Sequence, residues 1–120
     1  MNNKSGSPKA RMHSFGYAIQ GVWQLIKQEP NARIHLVATI AVIIAGFVKQ
    51  LSAHEWVAVA IAIGIVWIAE ALNTTVEMLC DMFCKGEYNE QVKVIKDIAA
   101  GAVLVASITS ITIGLFIFLN

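Results

Sequence analysis

Four polar residues at helical spacing interrupt an otherwise apolar run: Glu70, Asn73, Glu77 and Asp81. At ~100° per residue they fall within a stripe roughly 80° wide on one helix face. The preceding residues, 57–69, supply only Val, Ala, Ile, Gly and Trp67, with no polar face to continue the stripe. Ionisable groups placed at such depth face a cavity, a cation or a partner charge rather than lipid. The stripe therefore reads as a reaction centre, and carboxylates merely satisfied inside a helix bundle are the competing reading.

Further polar groups gather at the same end of the apolar segments: Tyr17, Glu29, Glu87, Tyr88, Lys96 and Asp97. Two carboxylates near a membrane interface, Glu29 and Glu77, suit Mg²⁺, which takes a few oxygen ligands and completes its shell with phosphate oxygens. Lys96 offers a charge for a phosphate. Glu70, partly desolvated, is placed to serve as a general base. The chemistry expected is phosphoryl transfer to an alcohol at the membrane surface. A P-loop is not the means, because Gly16 and Gly21 have the right separation but Val22 and Trp23 stand where Lys and Ser or Thr are required.

The elements that must position these groups follow from composition and periodicity. The chain has 120 residues, enough for one domain, and is 57% hydrophobic and only 14% charged, against about 25% charged in soluble domains. A net charge of +1 without a basic run or stripe gives no case for nucleic acid. Cys80 and Cys84 lie one helical turn apart with no His or further Cys nearby, and read as packing residues rather than a metal or redox pair. No apolar segment of signal-peptide type follows the first residues, so no cleaved signal is expected.

Four helices are expected, in one membrane-embedded domain. Over residues 8–29, Met12, Phe15, Ile19, Val22 and Ile26 recur on one face, with His13, Tyr17, Gln20, Gln24 and Lys27 opposite. This is a surface helix lying on the bilayer. Pro30 favours an extended Glu29 and then suits the first turn of a new helix. Three spans follow, at about 32–51, 56–83 and 96–119. The first is short between Arg33 and Lys49 and needs both side chains to reach the interfaces. The second exceeds the membrane thickness, so that Glu70 lies roughly 9 Å inside the boundary while Glu77 and Asp81 project beyond it. From Ile98 to Leu119 the third carries no charge and is rich in small residues that favour close helix contact. Lys4, Lys9, Arg11, Lys27 and Arg33 flank the start, and Lys85, Lys93 and Lys96 lie between the second and third spans. The positive-inside bias then puts the N-terminus in the cytoplasm and the C-terminus outside.

The run from Glu70 through Asn73 to Glu77, followed by Asp81 and Lys96-Asp97, resembles the bacterial integral-membrane diacylglycerol kinase family, which includes the undecaprenol kinases. The resemblance extends from Gly16-Tyr17 through Glu29 and Arg33 to the third span. It implies an all-α homotrimeric bundle of three-span subunits in the bacterial cytoplasmic membrane, with composite active sites at the cytoplasmic face. The implied activity is transfer of the γ-phosphate of Mg-ATP to a lipid hydroxyl: diacylglycerol giving phosphatidic acid, with undecaprenol as the alternative. Position by position, Glu70 is implied as the catalytic base and Glu29 and Glu77 as Mg²⁺ ligands. Tyr17, Glu29, Glu77, Glu87, Tyr88, Asn89, Lys96 and Asp97 are implied as nucleotide contacts, with Arg33 and Asn73 supporting.

Three departures set the chain apart from the enterobacterial branch. The stretch 82–91 is one residue longer, which leaves the register of Glu87, Tyr88 and Asn89 open by one. His35 stands in place of a carboxylate, and Ala10 in place of an Arg that Arg11 replaces only with a changed register. These differences lean toward relatives that include undecaprenol kinases. Outside the kinase class, a cation pathway would need polar residues along the outer half of the spans, and residues 57–65 have none. A structural or lesion-forming membrane protein would leave the carboxylate stripe without a purpose.

Overall fold

In a computed structural model, which describes residues 6–120, the chain forms four helices and, among the described residues, no strand. Lys4, counted above among the charges near the start, lies outside the described residues. The helices are α1 (Pro8–Gln28), α2 (Pro30–Lys49), α3 (Ala53–Cys84) and α4 (Glu90–Phe118). Three of them, α2, α3 and α4, are long and apolar enough to cross a membrane.

Local chemistry sets each boundary. Ser7 caps α1 by accepting from the Ala10 N–H, and Pro8 occupies the first turn, where its missing N–H costs nothing. Glu29 ends α1 and begins α2 in an extended conformation (φ −108°, ψ 116°), as Pro30 demands. Beside it Ala32 is wholly buried, its small side chain allowing α2 to pack closely. At the far end of α2, Gln50 adopts a left-handed conformation (φ 59°), and the Leu51 N–H returns to the Gly46 carbonyl. Helix α3 starts earlier than the expected span because Ser52 and Glu55 form a reciprocal capping box. Helix α4 also starts earlier, at Glu90, because the Asn89 side chain accepts from the N–H groups of Gln91 and Val92. The connection between α3 and α4 is thus only residues 85–89, and Lys93, Lys96 and Asp97 are helical.

The apolar core sits at the end of the bundle remote from the carboxylate stripe. Leu51, Val59 and Ile117 are buried there, with Val42, Trp56, Ile63, Ile113 and Phe118 packed against them. Gly46 is required at this point, since a Cβ would lie 2.6 Å from the Trp56 ring. Lys49, at the end of the short α2, donates to the carbonyls of Ile117 (2.7 Å) and Asn120 (3.0 Å). Its positive charge thereby meets the negative end of α4.

Little else is buried. The accessible area is 8956 Å², against ~6,300 Å² for a compact monomer of this mass. The radius of gyration is 17.5 Å where a compact domain of this length has about 14 Å. Met12, Phe15, Ile19 and Val22 on α1 are exposed, as are Ile34, Val37, Ile68, Leu104 and Phe116 along the spans. Such surfaces are stable against lipid or other protein, not against water.

Candidate active site

Helix α3 brings Glu70, Asn73, Thr74 and Glu77 onto the face packed in the bundle. Glu70 is 1% exposed, and neither carboxylate oxygen has a hydrogen-bond partner. The buried Oδ1 of Asn73 and Oγ1 of Thr74 also lack partners. Among the described residues these are the only buried side-chain polar atoms without one, and all lie within 70–74. Each such atom costs about 1–3 kcal/mol, so their concentration in little more than one turn marks a site prepared for something to enter.

Asn73 connects this sealed segment to the interface. Its Nδ2 donates to Glu77 Oε1 at 3.2 Å. Glu77 is half-buried. Glu29, also half-buried, comes close enough for the charges of Glu77 and Glu70 to act on it. Burial first, then those two charges, raise the Glu29 carboxyl above its ordinary range, with Arg33 opposing. The Glu29 side chain caps neither helix at the junction, which leaves both its oxygens for other partners. An anionic cluster of this kind fits a divalent cation with oxygen ligands. Among the described residues no three His, Cys, Asp or Glu side chains converge as a complete metal site. Mg²⁺ is held by one or two carboxylates together with substrate phosphates, and Glu29 and Glu77 are the carboxylates that could supply them.

Arg33 has a structural task. Its Nη1 donates to the carbonyls of Ile26 (3.2 Å) and Lys27 (2.9 Å), satisfying the last turn of α1 and fixing its angle to α2.

Lys93 and Lys96, near the start of α4, line a cleft of about 380 Å³ with Asp81, Gly86, Glu87, Tyr88 and Asn89. Lys96 pairs with Asp81 at 3.0 Å, and Lys93 with Asp97 at 2.6 Å. Tyr88 donates to Glu90 at 2.6 Å, which raises its phenol above the ordinary value. The two ion pairs are exposed, and exposed pairs contribute roughly 0–1 kcal/mol, so either lysine can exchange its carboxylate for a phosphate at small cost. Asn89 has its side-chain oxygen committed to the α4 cap. Tyr17 lines a separate shallow cleft on α1 with Met12, His13, Gly16 and Gln20. One chain therefore brings together Glu29, Glu70, Asn73 and Glu77, and separately Glu87, Tyr88, Asn89 and Lys96, but not Tyr17 with either set.

Four residues join the site that their sequence positions did not single out for a role. Thr74 is buried beside Glu70; Asp81, already on the stripe, holds Lys96; and Lys93 lies in the cleft wall. His35, noted only as a departure from a carboxylate, places Nε2 3.5 Å from Glu70 Oε2. Both cysteines are free on α3, Cys80 buried and Cys84 in the cleft wall.

Fold and site together fit a multi-pass membrane protein with an oxygen-rich, anionic cluster toward one end of its apolar helices. Residues 16–118 match the model of the prokaryotic diacylglycerol kinase family. The chain is 40% identical over 106 residues to the undecaprenol kinase of Bacillus subtilis (strain 168), covering 88% of this chain and 85% of that one. It is 39% identical over 101 residues to the diacylglycerol kinase of Synechocystis sp., covering 84% of this chain and 58% of that one. The chain belongs to the prokaryotic diacylglycerol kinase family. It is a lipid kinase.

Proposed function

We propose that the chain transfers the γ-phosphate of Mg-ATP to the hydroxyl of a long apolar membrane alcohol at the cytoplasmic face. The observation that carries this reading is Glu70: a carboxylate on a spanning helix, sealed from water, with neither oxygen hydrogen-bonded and only His35 beside it. Such a group is useful to a substrate that arrives from the membrane and must lose a proton there.

Glu70 takes the hydroxyl proton as the lipid oxygen bonds to the γ-phosphorus and the bond from that phosphorus to ADP breaks. Glu29 and Glu77 would hold Mg²⁺, which offsets the charge of the phosphate oxygens when bound. Asn73 orients Glu77 through the bond described above. Lys96 and Lys93 turn from their carboxylates toward phosphate, leaving Asp97 at the rim, while Glu87, Tyr88 and Asn89 surround the nucleotide. Arg33 keeps α1 in place. Tyr17 belongs to the same nucleotide site only if a neighbouring subunit contributes it, which together with the large exposed apolar area supports a homotrimer with composite sites.

Diacylglycerol, giving phosphatidic acid, is the acceptor from which the reading starts. Undecaprenol is the second reading, favoured by the named undecaprenol kinase that matches along 85% of its own length. Purified protein with labelled Mg-ATP, offered each lipid separately in detergent, tests the proposal. Labelled phosphatidic acid or undecaprenyl phosphate is expected, and the ratio of the two rates assigns the acceptor. Labelling of neither lipid by folded protein would remove the proposal.

A further inference from the structure

A base that is sealed from water has to dispose of the proton it takes. Glu70 is in that position, and the groups facing it differ in their ability to help. On α3, Asn73 is committed to Glu77, and Thr74 is a buried hydroxyl with no outlet. Glu77 and, from the α1–α2 junction, Glu29 are anions placed toward a cation. From α4 the nearest cation at this end, Lys96, is held by Asp81. From α2 comes His35, whose Nε2 lies 3.5 Å from Glu70 Oε2 and whose side chain is 21% exposed against 1% for Glu70. It alone combines contact with Glu70 and an open edge.

The placement of His35 is built. Its distance from Glu29 along α2 is about 9 Å, and that of Glu70 from Glu77 along α3 about 10 Å, so the two side chains sit at matching depths. Thr39, one turn further along α2, donates to the His35 carbonyl at 2.7 Å. Trp67, on the turn of α3 before Glu70, donates from Nε1 to the same Thr39 hydroxyl at 2.9 Å. The indole thus ties the turn carrying His35 to the turn carrying Glu70. Neutral imidazole accepts a proton at one nitrogen while giving one up at the other, which no other side chain in this cluster can do.

We infer that His35 is a positioning residue for the kinase reaction, holding the Glu70 carboxyl and carrying its proton out of the sealed site. This rests on the role of Glu70 proposed above. After transfer, the Glu70 carboxyl gives the proton taken from the lipid hydroxyl to Nε2 of neutral His35. Nδ1 releases its own proton to water that reaches the site from the cytoplasmic end once the products leave, so that Glu70 is again a carboxylate and His35 neutral. Lipid alcohol and ATP have then become lipid phosphate, ADP and one proton.

The test compares the parent protein with His35→Gln and His35→Ala, using whichever lipid the parent labels. Rates are measured with and without added imidazole, in H₂O and in D₂O. Both variants should lose roughly 10- to 100-fold in kcat with KM for Mg-ATP little changed, the low end of what proton-transfer groups contribute. Imidazole should restore His35→Ala severalfold and leave the parent unchanged, and His35→Gln should show a larger solvent isotope effect than the parent. A variant at the parent rate overturns the inference. So do slow variants that respond neither to imidazole nor to D₂O, which would give His35 a purely structural role. A parent that labels no lipid fails earlier and removes the kinase reading itself, so the two failures are distinct.

Discussion

Asn73 Nδ2 donates to Glu77 Oε1 across one turn of α3, at 3.2 Å, while the other end of the same amide, Oδ1, is buried without a partner. The bond holds the Glu77 carboxylate back along the helix toward Asn73, with Glu29 near enough to feel its charge. It also leaves one Glu77 oxygen without a bond from the Asn73 amide, as a shared cation would need.

Glu77→Gln keeps the size and the hydrogen-bonding capacity of the side chain but removes its charge. Apparent affinity for Mg-ATP and turnover should both fall, with the protein still folded, because Glu77 is only half-buried. Activity titrated against Mg²⁺ at fixed ATP is the measurement. An active variant with the parent's Mg²⁺ dependence would remove the metal assignment.

Glu29 gives a stability prediction with a definite sign. Its carboxyl is raised by burial and by Glu77 and Glu70. The folded state therefore holds the proton to higher pH than the unfolded chain, and stability is lost as pH rises from the ordinary carboxylate range through the raised value. Above that range the cost is fully present. Glu29→Gln should then melt higher than the parent at neutral pH without Mg²⁺, and the difference should vanish at low pH. Mg-ATP should raise the melting temperature of the parent more than that of the variant. Equal melting curves at all pH values would remove the carboxylate cluster.

Much of this site was legible in the sequence, because helical period and the cost of burying charge both act locally. Pro30 announced an extended Glu29, and the 70–81 stripe announced its own face. Contacts between helices were not legible. Lys96 and Asp97 are adjacent in sequence, yet residues one apart on a helix diverge by ~100°, so Lys96 reaches back to Asp81 and Asp97 takes Lys93 one turn earlier. His35 and Glu70 are neighbours only because Trp67 and Thr39 join α2 to α3. Asn89 had a second use as a helix cap, which lengthened α4 beyond the apolar span.

Gly46→Ala addresses the opposite end of the bundle. The added Cβ meets the Trp56 ring at 2.6 Å, and the ring, already tilted 52° against Phe47 at 4.9 Å, has to shift. Overpacking of this kind costs about 1–3 kcal/mol. Thermal stability in detergent should drop while turnover of the folded fraction is retained, because Gly46 is remote from the carboxylate stripe. Unchanged stability would mean that Trp56 packs elsewhere.

By the positive-inside bias, residues 85–89 should lie in the cytoplasm and the 50–52 turn with Asn120 outside. Single cysteines at the exposed position 53 and at position 89, in a background lacking Cys80 and Cys84, report this through an impermeant thiol reagent added to intact cells. Position 53 should label in intact cells, and position 89 only after lysis. Labelling of position 89 in intact cells would put the nucleotide cleft on the side without ATP.

Glu70→Gln is the most direct test of the mechanism. The amide keeps shape and polarity but cannot take a proton, so turnover should fall by roughly 10² to 10⁴. Mg-ATP binding should change far less, since the lysines and the 85–89 connection lie beyond Glu77 on the aqueous side. Stability should hold or rise, because a buried carboxylate with neither oxygen hydrogen-bonded is replaced by a neutral group that desolvates at lower cost. Nucleotide binding, lipid phosphorylation and thermal unfolding of the same preparation separate the three effects. Near-normal turnover with a destabilised protein would make Glu70 a packing residue held by His35 and leave the transfer without a base.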